Sequence, residues 1–200
     1  MHTGPFGPIH TMGMEEGSFD EVIQAARTGD HRAIELLYLK LAPGVVGYLR
    51  GEGWPEPEDL ASEVFVGLVR NLSTFEGDER SFRSWAFSIA YRRLVDARRA
   101  AVRRREDPVD PAELAESVGL HQVGDVEEDA LARLAEIRTA ERLATLTPEQ
   151  RAVLLLRVLG DLSVSDVGRI VGKTEGAVKS LQRRALLALA RQFRSEAVSS

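Results

Sequence analysis

Apolar residues recur at intervals of three or four along most of this chain, and runs that alternate apolar and polar residues are scarce. This spacing is typical of helices that bury one face, so it predicts an all-α fold. Two segments, SFDE from Ser18 and TPEQ from Thr147, have the capping-box pattern that starts a helix. The predicted helices cover residues 18–28, 30–49, 57–72 and 81–104, then 136–146, 147–160, 163–171 and a last helix after the turn GKT.

The periodic pattern stops between residues 106 and 130, where DPVDP, two glycines and an acidic run occur. Such a segment predicts a linker between two helical domains. The Gly, Pro and Met content before Ser18 predicts a disordered leader, or an upstream start codon with Met12 or Met14 as the real beginning. The predicted division is a leader at 1–17, domains at 18–105 and 136–195, an acidic linker at 106–135 and a tail at 196–200.

Composition narrows the class of protein. The chain has no cysteine, which excludes disulfide frameworks, Cys-based zinc sites and thiol catalysis. It has no apolar run near the roughly 20 residues of a membrane span and no signal peptide pattern, so we expect a cytoplasmic protein with no membrane contact. The four histidines are scattered and no Gly-rich phosphate loop follows a strand. We therefore expect no enzyme, no cofactor and no metal site.

Charge is strongly segregated, although the formal net charge is only −5. Residues 80–105 hold nine arginines against Asp96 alone, residues 106–136 hold ten acids against Arg133, and residues 172–194 hold six basic residues against Glu175. The negative net charge argues against a protein that simply coats nucleic acid. It is, however, an average over two basic segments with an acidic segment between them.

The last two predicted helices have the pattern of a helix-turn-helix. A short helix, a Gly-containing turn and a longer helix with small and basic residues at its head suit entry into a major groove. Such a face can equally be only solvated, and the pattern alone leaves both readings open. Leu186 and Leu187, near the polar arc, are expected to face protein. A helical wheel of the last helix, drawn at about 100° per residue, has one apolar side and one polar side. The apolar side, expected to be buried, holds Ala177, Val178, Leu181, Ala185, Ala188 and Leu189. The opposite side holds Glu175, Gly176, Lys179, Ser180, Arg183 and Arg184.

The long helix from residue 81 combines arginines with an outward aromatic residue, a pattern that favours single-stranded nucleic acid. Asp96 is expected to face the core and pair with Arg93. The predicted core stripe holds Phe82, Trp85, Ala86 and Ile89, and the outward arc holds Ser84, Ser88, Tyr91, Arg92, Val95, Arg98 and Arg99.

A third surface is a stripe on the helix from residue 57, formed by Asp59, Glu63, Val66 and Arg70. Acids in a first turn are ordinary helix-dipole chemistry. A stripe of carboxylates with one exposed valine and one arginine is also suited to protein docking, and both readings stay open.

Three segments, PEPEDLASEVFVGLVRNLSTF, FRSWAFSIAYRRLVDARR and LTPEQRAVLLLRVLGDLSVSDVGRIVGKTEGAVKSLQRRAL, together resemble the bacterial sigma-70 family. They look most like its compact extracytoplasmic-function (ECF) class, which keeps only the second and fourth sigma domains. The resemblance covers residues 18–194. It implies a promoter-specificity subunit whose partners are core RNA polymerase (β′ clamp helices and β flap), promoter DNA and an anti-sigma factor.

The resemblance also implies roles for individual residues. The acidic linker would run toward the active-site cleft and the RNA exit channel. Arg92, where many members have Asn, and the Leu181-Gln182 pair depart from the family pattern, so the promoter sequence cannot be deduced. The implied contacts are Asp59, Glu63 and Arg70 with core polymerase; Phe75, Glu76, Arg80, Arg83, Ser84, Ser88, Tyr91, Arg92, Arg98 and Arg99 with the −10 element; and Lys173, Thr174, Lys179, Ser180, Arg183 and Arg184 with the −35 element.

One alternative is a polymerase-independent regulator of LuxR type, because the last segment alone also resembles that DNA-binding domain. Such a regulator would protect palindromic DNA without polymerase, whereas a sigma factor would not.

Overall fold

A computed structural model describes residues 18–106, 135 and 137–199, and every regular element in these ranges is helical, as predicted. The leader at 1–17 and nearly all of the predicted linker lie outside the described residues. A single 3-10 turn, Leu72–Thr74, precedes the fourth helix. The helices are α1 (Phe19–Arg27), α2 (His31–Gly51), α3 (Pro57–Arg70), α4 (Glu79–Glu106), α5 (137–144), α6 (Pro148–Val158), α7 (Val164–Val171) and α8 (Glu175–Ser199).

Local sequence explains where these helices begin. Ser18 and Thr147 each form the predicted capping box, in which the cap N–H donates a hydrogen bond to the side chain three residues on. Ser163 does the same for α7 through Asp166. Asp30 accepts hydrogen bonds from the amides of Arg32 and Ala33 at the start of α2. Each of these starts agrees with the sequence prediction.

Helices α1 to α4 form the N-terminal bundle. Its core is built from the apolar faces of α2 and α3 against α4, with Val45, Tyr48 and Val64 fully buried. Helix α4 is buried on more sides than predicted, because Phe87 and Leu94 are each 1% exposed beside the expected Phe82. The prediction for Asp96 is wrong: its side chain is exposed. Arg93 instead places Nη1 3.9 Å from Glu63 Oε2.

Helices α5 to α8 form the C-terminal bundle. Its core joins Leu156 of α6, Val167 of α7 and Val178 of α8, each 0% exposed. At the far end of the bundle, the Arg142 guanidinium lies 4.2 Å from the centroid of the Phe193 ring, in cation–π contact. No helix in the described part of the chain is long and apolar enough to cross a membrane.

The two bundles are in contact, mainly where α6 crosses α2 and α7 meets α4. Three glycines on one face of α2 allow the close approach of α6. A β-carbon at Gly44 would lie 3.1 Å from the carbonyl oxygen of Leu159, and one at Gly51 would lie 3.0 Å from both methyl carbons of Leu155. At Gly47 the nearest atom is a methyl carbon of Leu159, at 3.5 Å. The crossing therefore depends on small residues that the helix pattern did not single out.

Candidate nucleic-acid interface

The α7–turn–α8 unit has the geometry of a helix-turn-helix. Gly172 ends α7 with φ +67°, a left-handed conformation that glycine adopts without strain. Gly168 is required at the turn because a β-carbon there would lie 2.7 Å from the carbonyl oxygen of Lys173. Thr174 then caps α8, with its hydroxyl accepting from the amide of Ala177 at 3.3 Å. These contacts set the angle at which α8 leaves the bundle.

The outer face of α8 is open to solvent, as the wheel predicted. Val178, Leu181 and Ala185 are buried against the bundle. The predicted readers on the opposite arc, Lys179, Ser180, Arg183 and Arg184, are all exposed. Exposed cations at the head of such a helix can contact both phosphates and guanine edges.

Two of the predicted −35 residues lie beside this face and also have structural partners. Lys173 Nζ lies 2.7 Å from Glu149 Oε1, so its ammonium group joins the turn to α6. Thr174 is exposed but acts as the cap described above. Leu186 and Leu187, 51% and 44% exposed, continue the outer face as an apolar patch. The expectation that the two leucines face protein stays a prediction.

A cleft of about 850 Å³ runs between the start of α4 and the 3-10 turn. It brings together five of the residues predicted for the −10 element and adds Asn71 and Thr74, which sequence reasoning missed because their 3-10 turn has no periodic signal. Arg169 and Ile170 of α7 close one side of it. The five predicted residues are Phe75, Glu76, Ser84, Ser88 and Arg92.

Aromatic rings form the floor of this cleft. Phe75 and Trp85 stack with centroids 5.2 Å apart and planes at 15°, and Phe82 meets Phe75 edge-on at 5.2 Å. Phe75 is only 7% exposed, so in this conformation its ring supports the cleft more than it projects into it. Trp85, expected in the core, is half-buried and lines the cleft.

Of the other predicted −10 arginines, Arg80 and Arg83 contact carboxylates, although the Arg80 side chain stays 65% exposed. Arg80 Nε lies 3.7 Å from Asp166 Oδ2, and Arg83 Nη1 lies 3.9 Å from Asp161 Oδ2. Both carboxylates belong to the C-terminal bundle. Arg99 is exposed, whereas Tyr91 is half-buried at the contact between the bundles.

Glu52 is the residue near the candidate site that sequence reasoning missed most clearly. It directly follows α2, yet its side chain is 1% exposed. Arg98 donates to its carbonyl oxygen at 2.6 Å and to Oε2 at 2.9 Å, and Arg151 Nε lies 3.5 Å from the same Oε2. Burial, and next to it the charge of Glu52, raise the pKa of the neighbouring Tyr48 hydroxyl well above its ordinary value. No local pattern could have predicted the site, since its partners are 46 and 99 residues away.

The carboxylate of Asp166, in the first turn of α7, is the second buried acid close to the α4 face. Burial alone would raise the pKa of its carboxyl, but hydrogen bonds from Ser163 and the adjacent Arg169 outweigh it and hold that pKa below its ordinary value. Asp166 is therefore ionised at neutral pH and available to Arg80.

The stripe on α3 is exposed as well. Asp59, Glu63, Val66 and Arg70 all reach solvent. Beside them lies an apolar cleft of about 590 Å³ between α2 and α3, where Tyr38 meets Phe65 edge-on at 4.6 Å between ring centroids. Within the described ranges, no group of His, Asp or Glu side chains is arranged to hold a metal ion.

Comparison with known proteins assigns the class. The family model for Sigma-70 region 2 matches residues 37–104, and the model for Sigma-70 region 4 matches residues 142–191. The first match spans α4 and its cleft, and the second contains the helix-turn-helix. The chain thus carries the two conserved regions of a sigma factor in the order that the sequence predicted.

Two curated relatives show to which class of sigma factors the chain belongs. The ECF RNA polymerase sigma factor SigD of Mycobacterium tuberculosis is 32% identical over 184 residues, a match that covers 88% of this chain and 84% of SigD. The ECF RNA polymerase sigma factor BldN of Streptomyces coelicolor is 31% identical over 179 residues, which covers 88% of this chain and 66% of BldN. This chain belongs to the ECF class of the sigma-70 family.

Solved structures agree on the fold. The structure of CnrH in complex with the cytosolic domain of CnrY superposes with a TM-score of 0.63 at 21% identity, over 88% of this chain and 96% of that chain. The sigma factor RpoE in complex with the anti-sigma factor NepR from Bartonella quintana gives 0.59 at 20% identity, over 80% and 96%. Likeness at this identity shows the shared helical architecture.

Proposed function

We propose that this sigma factor directs core RNA polymerase to promoters by reading the −35 element with the outer face of α8 and the −10 element with the cleft on α4. The observation that carries the proposal is the pair of basic surfaces on two separate bundles of one chain. Each surface is too small to bind DNA strongly alone. Held at fixed spacing on polymerase, two weak contacts raise each other's effective concentration.

At the −35 element, α8 would enter the major groove. Lys179 and Ser180 would contact the DNA backbone, and Arg183 and Arg184 extend one turn further along the same exposed face. Arginine can donate two parallel hydrogen bonds to a guanine edge, which gives base discrimination, whereas lysine and serine suit phosphates. The first half of α8 is therefore the reader.

At the −10 element, the cleft on α4 would receive a base from the non-template strand. Its aromatic floor offers a stacking surface, and Glu76, Ser84 and Ser88 offer polar groups to the edge of the base. Arg92 at the rim can hold the adjacent phosphate. Domain boundaries at 18–105 and 136–195 would place one surface in each domain.

Core polymerase would dock on α3. The Asp59, Glu63 and Arg70 stripe and the neighbouring apolar cleft combine charge with exposed hydrophobic area, a combination that suits a protein partner. We assign this surface to the β′ clamp helices and the Leu186–Leu187 patch to the β flap. An anti-sigma factor is the expected negative regulator. The proposed location is the cytoplasm, and the chain would need no catalytic group of its own.

The helix-turn-helix regulator of LuxR type is not favoured. Such a regulator needs no Sigma-70 region 2, and that region occupies residues 37–104 here. The helices of this region also carry the −10 cleft and the docking stripe, neither of which a polymerase-independent regulator would use.

The Arg183→Ala variant tests the −35 assignment. Loss of an arginine contact to a base costs about 1–3 kcal/mol and relaxes specificity at that position. We therefore expect holoenzyme containing the variant to bind promoters about 10- to 100-fold more weakly, with altered base preference in the −35 element. The measurement is footprinting and transcription on a library randomised at the −35 element.

Arg191→Ala is the matched control, because Arg191 is exposed on the same helix beyond the proposed reader. It should leave the base preference unchanged. Identical footprints and transcripts for Arg183→Ala and the unmodified chain would rule out the assignment of α8 as the −35 reader.

A further inference from the structure

We propose that Glu149 and Lys173 are positioning residues, whose ion pair holds the turn before α8 against α6 and so sets the orientation in which α8 meets the −35 element. The inference deepens the proposed function and rests on its assignment of α8 as the −35 reader. It gives Lys173 a role different from the direct DNA contact that the resemblance implies. It also adds Glu149, which lies outside the predicted site.

The backbone of the turn determines where the Lys173 side chain starts. The amide of Lys173 donates to the carbonyl oxygen of Gly168 at 2.9 Å. A β-carbon at Gly168 would lie 2.7 Å from the carbonyl oxygen of Lys173, so the two backbone segments are in close contact. Gly172, between them, has the left-handed φ of +67°. The backbone of residue 173 is therefore held on α7, and the turn sets the direction of its side chain.

The Lys173 side chain leads back to α6. Its Nζ lies 2.7 Å from Glu149 Oε1, and the side chain is 29% exposed. Lys179, in contrast, is 67% exposed, and its Nζ lies 4.0 Å from Glu175 Oε2 in its own helix. A lysine held by a carboxylate at 2.7 Å has to give up that charge-assisted contact before it can reach a phosphate. Of these two lysines, Lys179 is therefore the one placed for DNA.

The backbone that carries Glu149 is held in place by the start of α6. Glu149 lies in the first turn of this helix, between Pro148 and Gln150. Gln150 and Thr147 close the capping box around it, and Pro148 has a restricted φ. Val153, one turn further on, is 1% exposed in the core. The first turn of α6 is thus a fixed point to which the turn before α8 is attached.

The ion pair joins the helices at a place that the core does not reach. Val178, Leu181 and Ala185 are the buried residues that dock α8 on the bundle, and all three follow the turn. The Glu149–Lys173 contact lies before the first of them. A helix attached at two separate places is restrained in tilt more strongly than one attached at its core face alone.

A small tilt at the start of α8 matters for base recognition. Arg183 lies about 12 Å along the helix from Glu175, at 1.5 Å per residue, so a rotation of about 5° at the start would move Arg183 by about 1 Å. Recognition groups need to be held within about 0.5 Å of their working positions. Loss of the restraint would therefore blur base discrimination by Arg183.

The pair should affect orientation more than stability. Lys173 and Glu149 are 29% and 59% exposed, so solvent screens their attraction. Partly exposed pairs of this kind add little to the free energy of unfolding. The C-terminal bundle should therefore stay folded without the pair, while the turn before α8 loses its attachment to α6.

The two roles open to Lys173 predict opposite effects of removing the Glu149 charge. If Lys173 contacts a phosphate, Glu149→Gln frees its ammonium group and removes an anion, so DNA binding becomes tighter. If the pair positions α8, the same variant binds promoters more weakly, although the chain has become less negative. The sign of the change distinguishes the two roles.

The experiment uses holoenzyme assembled from core polymerase and the full chain. The variants are Glu149→Gln, Lys173→Met, both together, and the exchanged pair Glu149→Lys with Lys173→Glu. Each is measured for transcription on a promoter library randomised at the −35 element, and for binding to a promoter recovered from that library across a salt series. Glu141→Gln is the matched control, since it removes the same charge from an exposed position on α5 of the same bundle.

We expect each single variant to weaken promoter binding about two- to fivefold, as for loss of a partly exposed ion pair, and to broaden the −35 base preference at an unchanged salt slope. The double variant should be no weaker than either single one, because both changes remove the same contact. The exchanged pair should restore most of the affinity. The Glu141→Gln control should match the unmodified chain. Circular dichroism and the midpoint of thermal unfolding should stay unchanged in all of them.

Tighter binding by Glu149→Gln, or a salt slope reduced by about one for Lys173→Met, would overturn the positioning role and make Lys173 a phosphate contact. An identical −35 preference in the unmodified chain and every variant would overturn it as well. A holoenzyme whose unmodified chain shows no −35 preference would instead refute the proposed function, and the positioning role with it.

Discussion

The outer face of α8 and the outward face of α4 look alike in sequence and differ in the folded chain. Both are helix faces rich in arginine with polar or small residues between the charges. The α8 face is open, with Lys179, Arg183 and Arg184 exposed. Part of the α4 face lies beside the C-terminal bundle, since Tyr91, Val95 and Arg98 line a cavity together with residues of α6. A charge pattern therefore indicates what a surface can bind, while distant residues decide whether it is accessible.

The difference also shows how like charges on one helix are tolerated. The arginines of α4 would repel one another if nothing neutralised them. In the free chain, Glu52, Asp161 and Asp166 supply part of the compensation. On α8 the charges are fewer, and Lys179 has only a 4.0 Å contact with Glu175 in its own first turn.

The largest expected effect is a loss of stability, and it compares a buried side chain of α4 with an exposed one of α8. Phe87 of α4 is 1% exposed and meets the Tyr48 ring edge-on at 6.0 Å between centroids. Phe87→Ala should lower the free energy of unfolding by about 3–5 kcal/mol, because it leaves a large cavity. Urea denaturation of the full chain measures it.

Leu186→Ala on the outer face of α8 is the control for that experiment. Its side chain is 51% exposed, so the change should stay within about 0.5 kcal/mol. Equal losses for the two variants would mean that the faces do not differ in burial.

A smaller effect concerns Asp166, the carboxylate of α7 that lies against Arg80. Because folding lowers its pKa, its contribution to stability is complete above the unfolded pKa of about 3.9 and is lost as the pH falls through the folded value. Asp166→Asn should lower stability by about 1 kcal/mol at pH 7, as for a charge at a helix N-terminus. The two proteins should converge in stability as the pH falls below about 4, which denaturation curves at several pH values would show.

A constant difference between the two proteins at all pH values would contradict this role for the Asp166 charge. Glu175→Gln is a suitable comparison, because Glu175 is an exposed acid in the first turn of α8. Its effect should be smaller, since solvent screens its charge.

The smallest expected effect compares single cations on the two faces in the free chain. Lys179 is 67% exposed, whereas Arg83 is 27% exposed and lies 3.5 Å from Glu79 and 3.9 Å from Asp161. Lys179→Ala should weaken binding to mixed-sequence duplex DNA by a few tenths of a kcal/mol and reduce the salt slope by about one. Arg83→Ala should change neither. Fluorescence anisotropy across a salt series gives both quantities, and a larger effect of Arg83→Ala would show that the α4 face is open.

Sequence reasoning succeeded where structure is determined locally. The capping boxes at Ser18 and Thr147 and the buried side of α8 follow from short-range patterns, and the structure contains them. It failed where contacts join distant residues. The burial of Phe87 depends on the packing of α4 against Tyr48 of α2, and that of Glu52 on Arg98 of α4 and Arg151 of α6. The exposed Asp96 was assigned to the core because one position on a helical wheel cannot report which neighbours pack on a long helix.

In the candidate site, too, the parts set by local sequence could be predicted and the parts set by distant residues could not. The α8 face could be predicted because its exposure follows from one amphipathic helix. The −10 cleft could be predicted only in part, since Asn71 and Thr74 enter it through a 3-10 turn and Arg169 enters it from the other bundle. The roles of the individual residues in promoter contact remain predictions.

Transcript-start mapping tests the central claim most directly. Core RNA polymerase would be mixed with genomic DNA, with and without this chain, and the 5′ ends of the transcripts sequenced. The account predicts a defined set of new starts that share −35 and −10 elements and that are lost when Arg183 and Arg92 are both replaced by alanine. No binding to core polymerase, or starts identical with and without the chain, would contradict it.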